Sequence, residues 1–210
     1  HESQKGCLLA EAIQCSVIDN QPYFFINKES KYFADQFFVN HQLTGKWVLA
    51  VQVGTVESQL WKQWHLERLA NVCDLLLEND QIRVIIFGLA RHKQALDEVI
   101  GRMVKTPIVV AGQTTLKQSA ALIKKCNATL CNDSGLMHIS SAVGTPVITI
   151  FGPTDPKWTG PMGSGHIIIR KEMPCSPCYR DMTLNSESAL NCDHHNCLSM
   201  ISTDEVFSAI

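Results

Sequence analysis

The chain has 210 residues, more than one small domain needs and fewer than two comfortable ones at roughly 100–200 residues per domain. Hydrophobic residues make up 45% and charged residues 18%, which excludes a disordered chain, a collagen-like repeat and a highly charged coiled coil. Eighteen basic and twenty acidic side chains leave a formal charge of −2, so no basic excess points to nucleic acid or an anionic membrane, and no apolar run reaches the roughly 18–20 residues of a membrane span.

In chain order, the start HESQKGCLLAEAIQC lacks the basic flank and long apolar centre of a signal peptide, and it begins at His1, so this end reads as processed or cut. PYFFIN (Pro22–Asn27) and the helix-like ESKYFADQFFV resemble the tail of another αβ element, joined through HQLTGK to a more regular region. There WVLAVQV (Trp47–Val53) is short, β-rich and nearly all apolar, the pattern of a strand buried on both faces. Trp61, Trp64, Leu69, Val72, Cys73 and Leu76 then recur at helical spacing and predict a helix to about Glu78.

IRVIIF (Ile82–Phe87) predicts a second strand, followed by a helix from about Lys93 to Met103. PIVVAG (Pro107–Gly112), a helix through Ala121 to Lys125, ATLCN, a helix through Ala142 and PVITIFG complete the alternation. Five β units separated by four helical ones predict an α/β domain, a doubly wound parallel sheet of Rossmann-like type. A further apolar strand, HIIIR, precedes a cysteine-rich irregular stretch from Pro174 to Cys197. Ser202 and Glu205, in capping-box spacing, open a short last helix.

Open parallel sheets bind ligands at the carboxyl ends of their strands, which directs attention to two loops. The first, VGTVESQLWKQW, offers Gly54 for a close backbone approach, the Thr55 hydroxyl and amide, and the Lys62 charge near a helix start. A plain strand–helix turn with a solvated lysine is the alternative. Neither GxGxxG nor GxxxxGK[ST] is present, so dinucleotide and P-loop readings lose their main support.

The second loop, CNDSGLMHISSAVGTP, brings Asp133, Ser134, Gly135 and His138 to one helix start. Asp133 or Ser134 is suited to cap that helix, while Gly135 admits a ligand to its first turn. Capping chemistry with a packing histidine is the bland alternative. The nine cysteines are odd in number and scattered, which argues against a complete disulfide framework. Cys73, Cys126 and Cys131 read as small buried hydrophobes, whereas Cys175, Cys178, Cys192 and Cys197, with His194 and His195, form an imperfect zinc pattern.

The segment NDSGLMHISSAVGTPVITIFGPTDPKWTGP closely resembles the donor-sugar signature of the bacterial heptosyltransferase family. Gly54, Thr55 and Lys62-Gln63-Trp64 resemble the family's Gly–Thr turn and Lys-x-Trp, and CSPCYRD…CDHHNCLSMIS resembles its C-terminal ending. The resemblance runs from about Lys46 to the C-terminus. It implies the C-terminal half of a GT-B glycosyltransferase: residues 46–210 as the nucleotide-sugar (donor) domain with a cysteine-rich tail, and residues 1–45 as a remnant of the acceptor domain or interdomain segment.

The implied activity is inverting transfer of a heptose from ADP-heptose to a lipopolysaccharide inner-core acceptor, in the cytoplasm, with peripheral association with the inner membrane. The acceptor domain and its general base would lie outside this chain, which alone would bind donor and transfer little. By position, the resemblance implies that Thr55 and Lys62 contact the diphosphate, with Gly54 in the same donor-binding turn, and that Asp133 accepts hydrogen bonds from sugar hydroxyls. Ser134, Gly135, Leu136 and Met137 would line the donor site, with His138 beside it. Lys62, Asp133 and His138 would be its catalytic side chains. No metal or other cofactor is implied, and no DxD-type pair flanks either loop. Arg91, His92 and Lys93 stand where the family often has a ribose-binding glutamate. A non-catalytic nucleotide-sugar module and a zinc-stabilised interaction domain are the competing readings.

Overall fold

The computed structural model describes residues 1–179 and 191–210. Its organising element is β1 (Trp47–Gln52), whose alternate side chains enter two different cores. Leu49 and Val51 face one helical layer, and Val48 and Ala50 face the other, so the run carries no polar face. Around it stand β2 (Ile82–Phe87), β3 (Ile108–Val109), β4 (Ala128–Asn132), β5 (Val147–Ile150) and β6 (Ile167–Ile169). All pair in parallel, in the order β3-β2-β1-β4-β5-β6.

This is the predicted doubly wound sheet, with the direction of winding reversing between β1 and β4. The expected strand Pro107–Gly112 is shorter in its regular part, although the Val110 and Gly112 amides still donate to the Ile86 and Gly88 carbonyls at 2.9 and 3.0 Å.

The helices are α1 (Glu2–Ala12), α2 (Lys28–Asn40), α3 (Leu66–Leu77), α4 (Lys93–Arg102), α5 (Leu116–Lys125), α6 (Gly135–Ala142), α7 (Pro156–Thr159), α8 (Asn196–Ser199) and α9 (Thr203–Ser208). α3 buries Leu66, Leu69, Ala70, Val72, Cys73 and Leu76, one apolar stripe against the sheet. The helix expected from Trp61 starts later. Residues Glu57–Lys62 form a 3₁₀ turn broken at Gln59, and Trp61 and Trp64 are buried outside the helix. Their helical spacing reflects burial by two different elements.

Two other expectations are altered. PYFFIN forms no strand: Ile26 is buried beside Ala34, Phe38 and Leu43 in the layer that holds Val48, Ile85 and α5. Residues 26–43 thus share a core with the sheet. α1, not predicted, buries no side chain; it is tied to the region after α7 by His1 Nε2 to the Gly160 carbonyl (3.0 Å) and by the Ser3 hydroxyl to Met162 Sδ (2.8 Å).

The chain end packs as core. Cys197, Leu198, Ile201 and Val206 join α3 on one face of the sheet. Trp64 Nε1 donates to the Ile201 carbonyl (3.1 Å), and Arg68 donates to the Ser199 and Ile201 carbonyls (2.6 and 2.5 Å). Ser202 caps α9 through the Glu205 amide at 3.2 Å, as its spacing predicts. The middle of the cysteine-rich stretch, 180–190, lies outside the described residues.

Candidate functional site

The loops after β1 and β4 are neighbours because those strands pair directly. At this switch point Lys62 Nζ lies 2.9 Å from Asp133 Oδ2, and both side chains are largely withdrawn from water, at 12% and 6% exposure. The two residues are separated by 71 positions, so the strand order creates the pair. The sequence names both residues, Lys62 for a diphosphate and Asp133 for sugar hydroxyls or a helix cap; the fold makes each the other's partner.

Neither Asp133 nor Ser134 caps α6. Ser134 takes the N-cap position with extended backbone and no side-chain bond to the helix. Its hydroxyl donates to Gln52 Oε1 instead. The first amides of α6 consequently have no side-chain cap and carry the positive end of the helix dipole towards an open cavity.

That cavity, of about 400 Å³, is lined by the polar or small residues Thr55, Gln59, Asp133, Ser134 and Gly135 and by the apolar Phe87, Leu89, Leu116, Leu136 and Ile139, with Arg91 and His92 also on its wall. Apolar side chains and convergent polar groups on one wall suit an aromatic base with a polar appendage.

Gly54 has φ +82, and a Cβ there would stand 2.7 Å from the His92 ring. The glycine is needed for both backbone and space. Thr55 is buried, with its hydroxyl donating to the Gln59 carbonyl at 3.3 Å. Met137 departs from expectation: it is fully buried with Cys131, Val147 and Phe151, because α6 turns that side chain to the sheet. Its side chain contributes packing.

His138 lies on the outer face of α6, near the ion pair but not on the cavity wall. Burial among neighbouring groups lowers its imidazole pKa below 6.5, with Asp133 opposing and Lys62 adding to the shift. The residue is exposed on its outer side, and burial of the ring tilts it towards the neutral form.

Two supporting residues escaped the sequence reading. Gln52, buried at the end of β1, donates through Nε2 to the Gly54 carbonyl (3.1 Å) and accepts from Ser134, linking both loops. Asn132, at the end of β4, accepts from the Trp64 amide at 3.1 Å and so fixes the chain after Lys62. The signal was a lone amide ending an otherwise apolar strand.

Cys175, Cys178, Cys192 and Cys197 line a separate cavity of about 260 Å³ with His194 and His195. Among the described residues, no group of three or more such side chains is arranged to hold a metal. Cys73, Cys126 and Cys131 are buried as expected, with burial raising the Cys73 and Cys131 thiols to about 12.

Fold and site define a Rossmann-like α/β domain with a helix-headed cavity at its switch point, the class to which nucleotide-binding domains belong. More narrowly, the chain belongs to glycosyltransferase family 9 (heptosyltransferase), whose family model matches residues 4–188.

Among relatives, lipooligosaccharide heptosyltransferase 2 of Haemophilus influenzae is 36% identical over 117 residues, covering 52% of this chain and 32% of that protein. The crystal structure of the glycosyl transferase family 9 from Veillonella parvula superposes with a TM-score of 0.78 at 26% identity, covering 94% of this chain and 56% of that one. The Escherichia coli ADP-heptose lipopolysaccharide heptosyltransferase II, at TM-score 0.69 and 24% identity, shares the fold and covers 89% of this chain and 51% of its own. The chain spans about a third of the length of the relatives it matches in sequence and about half of these structures.

Proposed function

We propose that this chain supplies the donor site of a heptosyltransferase, binding ADP-heptose for inverting transfer to a lipopolysaccharide inner-core acceptor. The observation that carries this reading is the withdrawn Lys62–Asp133 pair, whose carboxylate lines a cavity headed by the uncapped start of α6.

In the proposed complex the base contacts Phe87, Leu89 and Leu116, and the diphosphate lies against Thr55 and the first α6 amides on the cavity wall, with Lys62 reaching it from beside Asp133. Asp133 accepts hydrogen bonds from sugar hydroxyls. Lys62 then serves two anions, the carboxylate and the diphosphate. As the glycosidic bond breaks, positive charge develops on the anomeric carbon and negative charge on the departing diphosphate. Lys62 and the helix start are already oriented towards that second charge and stabilise it as it forms. This supplies the leaving-group assistance without a metal. His138 stands beside the pair, with burial favouring its neutral form over a third charge.

We assign donor binding to residues 46–210. Residues 1–45 are the connection to an acceptor-bearing domain, although the α2 portion packs on the sheet. Transfer requires that second domain and its general base, so the chain alone binds donor and transfers little. The expected location is cytoplasmic, with the acceptor reached at the inner membrane; no helix among the described residues is long and apolar enough to cross a membrane.

Calorimetry with ADP-heptose, ADP and UDP-sugars tests this. Saturable binding of the adenine nucleotides is expected, weakened by about 1–3 kcal/mol in Lys62→Ala and in Asp133→Ala. Unchanged affinity in both variants would move the donor site elsewhere.

A further inference from the structure

The tail that carries the cysteine pattern also delivers an aromatic side chain to Lys62. Residues 176–179 strap onto the loop after β5: the Ser176 hydroxyl donates to the Gly152 carbonyl (2.8 Å), the Tyr179 amide donates to the Pro153 carbonyl (2.9 Å), and Tyr179 bridges to Thr154. This sets the Tyr179 ring against Trp61, with centroids 4.8 Å apart and planes tilted by 36°. Trp61 is itself fixed by its indole N–H donating to the Ser58 carbonyl at 3.0 Å. Lys62 Nζ lies 5.3 Å from the Trp61 ring and 6.0 Å from the Tyr179 ring.

Resting on the donor-site reading above, we propose that Trp61 and Tyr179 are positioning residues that hold the Lys62 ammonium for the donor diphosphate. Neither ring lines the donor cavity, and Lys62 meets its wall through Asp133, so the rings act through the lysine. Aromatic faces attract a cation without consuming its N–H donors. Asp133 occupies one N–H of Lys62, and the rings restrict the ammonium while leaving its other N–H groups for phosphate oxygens. A lysine held in advance loses less rotamer freedom when the donor arrives. Tyr179 comes from the far end of the chain, so docking of the tail sets the strength of the diphosphate site.

The test compares ADP with adenosine, which lacks the groups that Lys62 serves, using the full chain and calorimetry. Tyr179→Leu is expected to raise the ADP dissociation constant roughly three- to tenfold and to leave that of adenosine unchanged. Tyr179→Phe, which keeps the ring, is expected to retain the wild-type ratio. In a Lys62→Met background, Tyr179→Leu is expected to add nothing further.

Parallel losses of ADP and adenosine affinity would reduce Tyr179 to a structural residue and overturn the proposal. So would undiminished ADP affinity in Tyr179→Leu when Lys62→Met weakens it. If Lys62→Met itself leaves ADP binding intact, the donor-site reading fails instead. Tyr179→Met carries the same comparison should leucine disturb the strap.

Discussion

Lys62 and Asp133 neutralise one another in a site where neither is well hydrated, so their energetics are asymmetric. Lys62→Met leaves the Asp133 carboxylate without its cation and is expected to cost about 1–3 kcal/mol of stability in urea unfolding. The double variant Lys62→Met/Asp133→Asn recovers part of that loss because no unpaired charge remains; a double variant less stable than Lys62→Met would contradict the argument. Burial also lowers the imidazole pKa values of His65, His92 and His138. Arg68, Arg91 and Lys62 respectively add to these shifts, while Glu67, the Val53 carbonyl and Asp133 oppose them. The folded state therefore favours neutral rings, whereas the unfolded chain takes up protons around pH 6.5. Their contribution to stability is full above that pH and declines as pH falls through the window between 6.5 and the lower folded-state values. Urea midpoints should fall over that window, and the His138→Asn variant should show a flatter decline; an identical slope would remove His138 from the account.

At the scale of the element, turns and caps decide whether the site loops hold their shape. Gly54→Ala meets two penalties, a left-handed φ of +82 and a Cβ 2.7 Å from the His92 ring. It is expected to destabilise by about 1–3 kcal/mol. His92→Gly in the same chain removes both the clashing Cβ and the ring but leaves the left-handed φ, so thermal unfolding of the pair should show partial rescue and not full recovery. α5 offers a simpler case. Thr115 caps it by accepting from the Gln118 amide, and Gln118 reciprocates to the Thr115 amide at 2.9 Å. Thr115→Ala should cost about 1 kcal/mol. Because the Thr114 and Ser119 hydroxyls beside that cap meet at 2.8 Å on the cavity wall, nucleotide affinity should decline with it.

Over the whole molecule, the sheet is sealed on one face by a segment from the chain's end. Ile201 is fully buried among α3 and the strands, and its carbonyl receives both Trp64 and Arg68. Ile201→Ala should cost about 2–5 kcal/mol in urea unfolding, comparable to a substitution in the central strands and far above a fraying-end effect. A loss below about 0.5 kcal/mol would mean that the tail docks independently of the domain.

The sequence by itself determined the alternation of apolar strands and amphipathic helices, hence the doubly wound α/β class. It also determined the two loops, because runs such as IRVIIF and ATLCN permit little else and their ends must turn. Gly54, Asp133 and the family signature were legible for the same reason: their chemistry is local. Partnership was not. Asp133 is suited by type to cap a helix or to accept from sugar hydroxyls, and its partner in the fold is Lys62; the Met137 side chain packs inward; the Trp61 spacing reads as helix although Trp61 lies in a 3₁₀ turn and Trp64 in the loop after it. Gln52 and Asn132 became visible only as links between loops. These depend on which strands lie side by side. Pairing of β1 with β4 brings together loops some 70 residues apart, and no local propensity encodes the neighbour across a parallel sheet. The opening length was likewise ambiguous between one domain and two. Tertiary packing places residues 26–43 and 197–206 in the two cores that flank one sheet, because each buries apolar surface that the central elements leave uncovered.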